Sequence, residues 1–362
     1  MQFLWYFPFA REEELAWAEN TPRAGESIVM QVVDQEVAPP GGTHGQVTVV
    51  RDLPDVNRTV GRSAWLASRA ATYWQRAAAR RATLRANDFD LVHLHYINRF
   101  TDSFIRPGAP LVLSVHDVLP HRARLGRAEH LVLKRTYDRA DAHVVAHESL
   151  REALVSDFGL RASSIHVVPL PVLPVPDALA GPPPDGPPLV LFFGALRPNK
   201  GLSVLVEAAR LLEGQDVRFV IAGRGDPREE AIARAAAASD PRIEARIGFV
   251  TMADKHRLYA EASIVVLPYT SFASQSGVLH DAYAHGRPVV VTEVGALGRS
   301  VREDGTGLVV PSRDAGSLAS AISDLLQPDM WTERARGAQA VRARRSPKES
   351  GRLMREVYDT LL

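Results

Sequence analysis

Residues 271–295 read SFASQSGVLHDAYAHGRPVVVTEVG and contain the pattern that decides the fold. The stretch predicts a turn rich in Ser and Gly, then a helix, then a Gly-Arg-Pro stop and a buried strand. A helix that leads directly into an apolar strand is typical of a parallel sheet covered by helices. The helix carries Asp281, and the preceding turn carries Ala273. The stretch therefore raises the question of which ligand this loop binds.

The composition bounds the possible functions. The chain has 362 residues, which is enough for two domains, and a net charge of +1 argues against a nucleic-acid partner. It has no cysteine, so disulfides and thiolate metal sites are excluded. The start, MQFLWYFPFAREEE, lacks the basic region of a signal peptide, and no apolar run reaches the roughly 20 residues of a membrane span. We therefore expect a cytoplasmic protein.

Short apolar runs alternate with helical patterns along most of the chain. Predicted strands lie at 3–7, 27–33, 46–50, 91–96, 111–116, 142–147, 165–170, 189–195, 218–223, 243–249, 263–269, 288–293 and 307–311. Predicted helices lie at 61–86, 126–139, 201–213, 228–238, 253–261, 276–285 and 314–326. This alternation predicts the α/β class, with doubly wound parallel sheets.

One Pro- and Gly-rich segment interrupts the pattern and predicts the domain organisation. We expect an N-terminal domain over 1–173, a linker over 174–188, a C-terminal domain over 189–345, and a final helix over 346–362 that packs back across the domains. The apolar stripe of this helix consists of Leu353, Met354, Val357, Tyr358 and Leu361. In doubly wound sheets ligands bind outside the carboxyl ends of the strands, so two such domains predict a ligand-binding cleft.

Two glycine-containing turns follow predicted strands of the second half. In FFGALRPNKG (192–201), Arg197 and Lys200 lie beside a helix start, which suits a diphosphate, although a basic surface turn would read the same way. In VIAGRGDP (220–227), Gly223 lets the backbone approach a ligand, and an ordinary tight turn is the alternative.

The opening stretch offers backbone amides and one carboxylate. Ser274 or Ser276 can cap the helix, and the N–H groups near Ser276, Gly277 and Val278 then face an anion. Asp281 lies one turn deeper on the same face, where it can accept hydrogen bonds from a pair of sugar hydroxyls. This combination suits a ligand that contains a ribose and a diphosphate. The alternative for Asp281 is a charged side chain that is only solvated on the helix surface.

Histidines follow or occupy strands of the first half. His116 and His121 border the carboxyl end of a predicted strand, and His116 is the stronger candidate for a functional group. His93 and His95 share one strand face, but no third ligand is spaced nearby, so we predict no metal site. The pair Asp88 and Asp90 precedes its strand, at the wrong end of the sheet for a ligand.

The helix at 61–87 contains many arginines together with Trp65 and Trp74. It predicts either a solvated amphipathic helix or peripheral contact with an anionic membrane, which for a cytoplasmic protein is the inner face.

Together these motifs resemble a known family. The second half resembles the donor domain of retaining glycosyltransferases of family 4, which have the GT-B fold. The segments that carry this resemblance are FGALRPNKGLSVLVEAARLL, FVIAGRGDP, IGFV, LYAEASIVVLPY, SGVLHDAYAHGRPVVVTEVGALGRSVREDGTGLVVP and DAGSLASAISDLL. The first half resembles the acceptor domain through FDLVHLHY, LVLSVHD, ADAHVVAHESLREAL and IHVVPLPV. The resemblance implies two facing Rossmann-like domains with a cleft, a nucleoside diphosphate sugar as co-substrate without a further cofactor, and transfer to a hydroxyl acceptor with retained configuration.

The resemblance also implies roles for residues. Arg197 and Lys200 would bind the diphosphate, and His116 would contact the transferred sugar; these three are the predicted catalytic residues. The predicted donor-binding residues are Gly223, Phe249, Val250, Gln275, Ser276, Gly277, Val278 and Asp281. Among them, Asp281 would bind ribose hydroxyls, and Phe249 and Val250 would border the base.

Three departures from the family pattern are visible. The family's E-x7-E pair would place glutamates at 273 and 281, where this chain has Ala273 and Asp281, and its SQSGV sequence resembles that of a subgroup. Gln275 is the predicted replacement for the missing sugar contact. The arginine expected after the strand glycine is Ala195, with Arg197 supplying the charge. The glycine-rich loop expected after the first strand is replaced by PFAREEELAWAENTPRAG.

The sequence thus predicts a metal-independent retaining glycosyltransferase whose acceptor is a glycan, a lipid-linked glycan or a natural product. Two alternatives remain open. A nucleotide-sugar epimerase on the same fold would alter the sugar without an acceptor. A catalytically inactive nucleotide-sugar-binding protein, suggested by Ala273, would bind a donor without turnover.

Overall fold

The computed structural model describes residues 1–35, 38–55, 62–98, 101–102, 105, 107–116, 127–271 and 276–362. Within these ranges, the side chains of residues 12–13, 62–67 and 127–128 are not described. The chain forms two compact units, of which unit 1 comprises residues 1–171 and 347–362 and unit 2 comprises residues 172–346.

Unit 1 is built on an eight-stranded sheet. Its strands are β1 (Gln2–Tyr6), β2 (Ser27–Val33), β3 (Gly42–His44), β4 (Val47–Leu53), β5 (Leu91–Leu94), β6 (Leu111–Ser114), β7 (Ala142–Val145) and β8 (Ile165–Val167). Its helices are α1 (Glu12–Glu19), α2 (Arg62–Ala86), α3 (Arg127–Tyr137), α4 (Glu148–Phe158) and, at the end of the chain, α12 (Pro347–Asp359). The strand order is β3-β4-β2-β1-β5-β6-β7-β8, and β3 pairs antiparallel with β4 while the other pairs are parallel.

Unit 2 has a six-stranded parallel sheet in the order β11-β10-β9-β12-β13-β14. Its strands are β9 (Leu189–Phe193), β10 (Arg218–Gly223), β11 (Ile243–Ile247), β12 (Ile264–Leu267), β13 (Val289–Thr292) and β14 (Gly307–Val310). Its helices are α5 (Leu202–Leu211), α6 (Pro227–Ser239), α7 (Met252–Glu261), α8 (Gly277–Ala284), α9 (Leu297–Asp304), α10 (Ala315–Leu325) and α11 (Pro328–Arg344). Two apolar clusters, one on each face of the sheet, bury the central strands, and the predicted α/β class is confirmed.

The first part of the Pro-rich segment packs against unit 2. Val172 and Val175 are buried in the core of unit 2, with Ala180 beside them. The Val172 N–H donates to the Arg345 carbonyl at 2.6 Å, and Arg342 donates to the Val175 carbonyl at 2.7 Å. Apolar side chains between the prolines fix this segment along unit 2, because their burial offsets the loss of chain entropy.

The final helix belongs to unit 1. Met354 and Tyr358 of the predicted apolar stripe are fully buried. The Trp5 indole N–H donates to the Tyr358 hydroxyl at 2.8 Å, and the buried Arg355 pairs with Glu26. These contacts hold α12 against β1 and the start of β2. Removing one partner of the Arg355–Glu26 pair would leave a buried charge without its counter-ion, which is strongly destabilising.

Two histidines lie in the core of unit 1, on β5 and directly after it. The Tyr358 hydroxyl accepts from Trp5 and forms a hydrogen bond of 2.7 Å with His93 Nδ1, and His93 Nε2 forms a second hydrogen bond of 2.8 Å with the Ser114 hydroxyl. Burial lowers the pKa of His93 to about 3. His95 stacks between Phe7 and His93, at centroid distances of 4.4 Å and 3.9 Å, and neither of its ring nitrogens has a hydrogen-bond partner. Burial holds the pKa of His95 well below its usual range, so both rings are neutral.

We expect this histidine pair to make the protein acid-sensitive. Because the folded-state pKa values are lowered, the unfolded chain binds protons first, and stability falls as the pH drops below about 6.5 toward about 3. His93 alone should remove about 2 kcal/mol between about pH 7.5 and about pH 5, and His95 should add to this loss. The variant His95→Phe keeps an aromatic ring in the stack and should show a weaker pH dependence than the parent in thermal melts. The control His44→Gln, on the edge strand β3, should melt like the parent, and a His95→Phe curve parallel to the parent curve would contradict the assignment.

Candidate functional site

The loop after β9 carries two cations and is tied to its neighbours through backbone hydrogen bonds. The Gly194 N–H donates to the Ala222 carbonyl at 3.0 Å, and the Thr270 N–H donates to the Asn199 carbonyl at 2.9 Å. The Asn199 side-chain amide returns a bond of 3.1 Å to the Ser271 carbonyl. The loop is therefore fixed between the carboxyl ends of β10 and β12.

Glycines permit this close approach. A Cβ atom at Gly201 would lie 1.8 Å from the Pro268 carbonyl oxygen, and one at Gly223 would lie 1.9 Å from the Gly194 carbonyl oxygen. Both residues have a positive φ, of 71° and 143° respectively, which side chains disfavour. Gly223 thus lets the loop lie directly against β10, and the ligand approach that the sequence predicted for it stays a prediction.

Lys200 lies on an aromatic face at the end of this loop. Its Nζ atom is 3.6 Å from the centroid of the Tyr269 ring. Burial, together with the charge of Arg197, lowers the pKa of Lys200 to about 8. Arg197 itself is exposed at the rim of the loop. The two predicted cations are therefore adjacent, one fixed and half-buried and the other in solvent.

Tyr269 connects Lys200, which lies on its ring, to the start of α8, which its hydroxyl contacts. This hydroxyl and the Ser276 hydroxyl are 3.0 Å apart, and Ser276 is 4% exposed. Ser276 occupies the N-cap position of α8, but its side chain makes no capping bond, and the other predicted cap, Ser274, lies outside the described residues. The first intrahelical bonds of α8 run from Leu279 and His280 to the Ser276 carbonyl. The Gly277 and Val278 N–H groups precede them, in the first turn that an anion would face.

The first turn of α8 also contacts the β9 loop. A Cβ atom at Gly194 would lie 3.3 Å from a methyl group of Val278, whereas no heavy atom lies within 4 Å of a Cβ at Gly277. Gly277 is exposed. The predicted residues Arg197, Lys200, Ser276, Gly277 and Val278 thus form one connected group in unit 2, which we call the β9–α8 site.

Asp281 lies one turn further along α8, as the sequence predicted. Its carboxylate forms an ion pair with Lys255 on α7, with 3.1 Å between Nζ and Oδ1. Sequence reasoning missed Lys255 and Tyr269. The scarcity of lysine, with four in the chain, was the available signal for Lys255.

The residues predicted to border a base lie after β11. Phe249 is 65% exposed, and the Arg224 guanidinium lies over its ring at 5.4 Å. Val250 is partly buried against the core of unit 2. An exposed ring paired with a guanidinium can stack on a planar ligand.

His116 lies in unit 1, directly beyond β6. Its Nε2–H donates to the His95 carbonyl at 2.7 Å, and its ring stacks on Tyr96 at 4.6 Å. Tyr96 in turn contacts Phe9, whose ring is 49% exposed. His116 is therefore placed at the carboxyl edge of the sheet, in a row of aromatic rings. His121, Ala273, Ser274 and Gln275 lie outside the described residues.

The arginines of α2 do not all face solvent. Arg76 and Arg80 are buried, and Arg80 pairs with the buried Asp102 at 2.8 Å. Trp74 is 53% exposed. The charged face of α2 is thus narrower than the sequence indicated, because Arg80 pairs with a buried carboxylate and the buried Arg76 lies 3.6 Å from the exposed Asp55.

Among the described residues, no three His, Asp or Glu side chains are grouped as metal ligands would be. In the same part of the chain, no helix is both long enough and apolar enough to cross a membrane.

Comparison with known families gives two matches along the chain. The model described as Glycosyltransferase Family 4 matches residues 32–173, and the model described as Glycosyl transferases group 1 matches residues 187–328. Phosphatidyl-myo-inositol mannosyltransferase of Mycobacterium leprae is 32% identical over 290 residues, which span 76% of this chain and 74% of the relative. D-inositol 3-phosphate glycosyltransferase of Xylanimonas cellulosilytica is 31% identical over 307 residues, spanning 79% of this chain and 70% of the relative.

Solved structures share the fold at low sequence identity. Sucrose-phosphate synthase of Thermosynechococcus elongatus superposes with a TM-score of 0.75 at 20% identity, over 100% of this chain and 99% of that chain. The Anabaena protein HepE in complex with UDP gives a TM-score of 0.70 at 17% identity, with 100% of both chains covered.

The lowered pKa of Lys200 predicts how anion binding depends on pH. A protonated Lys200 attracts an anion, so the affinity for pyrophosphate should fall as the pH rises through about 8, by about tenfold between about pH 7 and about pH 9. In Lys200→Arg the guanidinium stays charged, and the affinity should remain comparatively constant. The affinities are measured by calorimetry for the parent and for Lys200→Arg at each pH. Because pyrophosphate ionises identically in both experiments, the difference between the two proteins reports on Lys200 alone. Lys134→Arg, a surface change on α3, should behave like the parent, and equal slopes for the parent and Lys200→Arg would contradict the assignment.

Proposed function

This chain belongs to glycosyltransferase family 4 and has the GT-B fold, and on that premise we propose that it moves a sugar from a nucleoside diphosphate sugar to a hydroxyl acceptor with retained anomeric configuration. The observation that carries the proposal is the β9–α8 site. There a half-buried ammonium, an exposed guanidinium and the first turn of a helix lie at the carboxyl ends of neighbouring strands.

The proposed chemistry follows from where charge develops. The bond between the sugar C1 and the diphosphate oxygen breaks, and negative charge accumulates on the leaving phosphate. Lys200, Arg197 and the α8 amides stabilise that charge, and such preorganised donors are often the largest catalytic contribution. Because protein cations fill this role in the proposal, transfer should proceed without a metal ion.

Retention requires that the acceptor approach from the face that the leaving group vacates. The acceptor oxygen then bonds to C1 while its proton passes to the departing phosphate oxygen, so that no carboxylate is required at position 273. His116 would contact the transferred sugar, and Asp281 would accept hydrogen bonds from the ribose. Gln275 remains the sequence-based candidate for holding the sugar hydroxyls.

The relatives suggest which acceptors to test first. Two of them are named for phosphatidyl-myo-inositol and D-inositol 3-phosphate. A hydroxyl group of an inositol is therefore a candidate acceptor, together with glycans, lipid-linked glycans and natural products. A panel of UDP-, GDP- and ADP-sugars, screened for slow hydrolysis and then for transfer, identifies the donor. Nuclear magnetic resonance of the product shows whether the anomer is retained.

In this assay Lys200→Ala and Arg197→Ala should each lower turnover by about 10²-fold, with activity in EDTA unchanged for the parent. Arg210→Ala, an exposed arginine on α5 that pairs with Glu207, serves as the matched control and should retain parent activity. Parent-like turnover in both site variants would remove the β9–α8 site from the mechanism. An altered sugar released without acceptor would favour an epimerase, and binding without any turnover would favour an inactive binding protein.

Peripheral membrane contact through α2 is a separate part of the proposal. It is supported by the exposed ring of Trp74 and, among the side chains that the structure describes, by the exposed Arg69, Arg81 and Arg85. Such residues favour the interface of an anionic bilayer. Co-sedimentation with vesicles rich in anionic lipid should be lost in Trp74→Ala or with vesicles of neutral lipid. Equal sedimentation of the parent and Trp74→Ala would contradict this contact.

A further inference from the structure

Helix α7 contacts α8 at the residue proposed to bind the ribose. Lys255 lies on α7 and is only 8% exposed, yet its ammonium reaches the Asp281 carboxylate at 3.1 Å. The side chain of Asp281 is itself 26% exposed. A lysine that leaves water requires a charged partner, so the ion pair fixes both side chains more firmly than a surface pair would.

A second contact holds the backbone of the same residue. His285 Nδ1–H donates to the Asp281 carbonyl at 2.7 Å, and its Nε2 lies 3.1 Å from His256 Nδ1 on α7. Burial lowers the pKa of His285 to about 4, so this ring is neutral and its Nε2 accepts from His256. The ring also stacks on Tyr259 at 5.0 Å.

Asp281 is thus held at two points. Lys255 of α7 binds its carboxylate, and His285, which is itself bonded to His256 of α7, binds its carbonyl. This arrangement matters because an aspartate is one methylene shorter than the glutamate that the family pattern places here. A shorter carboxylate has less reach toward a ligand, so its orientation has to be set before the ligand arrives. Ordering a side chain in advance improves affinity, because binding no longer has to immobilise it.

We propose that Lys255 is a positioning residue for the nucleotide: it orients the Asp281 carboxylate toward the ribose hydroxyls. The inference rests on the proposed function, in which Asp281 accepts hydrogen bonds from that ribose. Lys255 acts through Asp281, so its removal affects ligands with ribose hydroxyls more than ligands that lack them. The ratio of the two affinities is therefore the quantity that isolates this role.

The test uses calorimetry with UDP, GDP and ADP and with their 2′,3′-dideoxy forms. The parent should bind at least one diphosphate about tenfold more tightly than the dideoxy form. In Lys255→Met, which retains the apolar stem, that ratio should fall toward about one. Lys255→Gln retains a hydrogen-bond donor and should give an intermediate ratio. Lys134→Met is the matched control, since Lys134 forms a Lys–Asp pair with Asp138 on α3 at 2.8 Å, and it should keep the parent ratio.

The outcomes separate this inference from the function on which it rests. If the parent prefers the ribonucleotide and both Lys255 variants weaken the two ligand forms equally, then Lys255 only stabilises the fold and the inference fails alone. If the parent binds a diphosphate without preferring ribose, the proposed contact with Asp281 fails, and the inference fails with it. If the parent binds none of the diphosphates, the proposed function itself is contradicted.

Discussion

The β9 loop lies directly against the backbone of two neighbouring strand ends, and the candidate site depends on this close approach. At Gly201 and Gly223 no side chain separates the backbone segments, because a Cβ atom at either position would overlap a carbonyl oxygen. The same approach puts Lys200 on Tyr269, and Tyr269 bonds to Ser276 at the start of α8. A cation and the first turn of a helix are thereby fixed near each other without a direct bond between them.

Burial lowers the pKa of basic side chains in both units, with different consequences. In unit 2, partial burial lowers the pKa of Lys200 into the range where binding an anion can reprotonate it. In unit 1, full burial keeps His93 and His95 neutral, and Tyr358 of the last helix forms a hydrogen bond with Nδ1 of His93. The last helix, α12, therefore completes the hydrophobic core of unit 1 around β1.

The sequence predicted the fold class and much of the site, and its errors have physical causes. Predicted strands such as 91–96, 111–116 and 189–195 run two residues beyond the observed carboxyl ends, because residues such as Tyr96, Val115 and Ala195 extend the strand-like pattern into the turns that follow. Helices α1, α4, α9 and α11 were not predicted. The packing of the Pro-rich segment on unit 2 was not predicted either, since its buried valines have no periodic signal. Contacts between distant segments, such as that of Lys255 with Asp281, depend on how helices pack and leave no local pattern.

The central claim is that the β9–α8 site binds the diphosphate of a sugar donor. The most direct measurement is a crystal structure of the protein with the nucleoside diphosphate that it binds. We predict phosphate oxygens within hydrogen-bonding distance of Lys200 and of the Gly277 or Val278 N–H groups, with the ribose at Asp281. A diphosphate bound away from Lys200 and from the first turn of α8 would contradict the account.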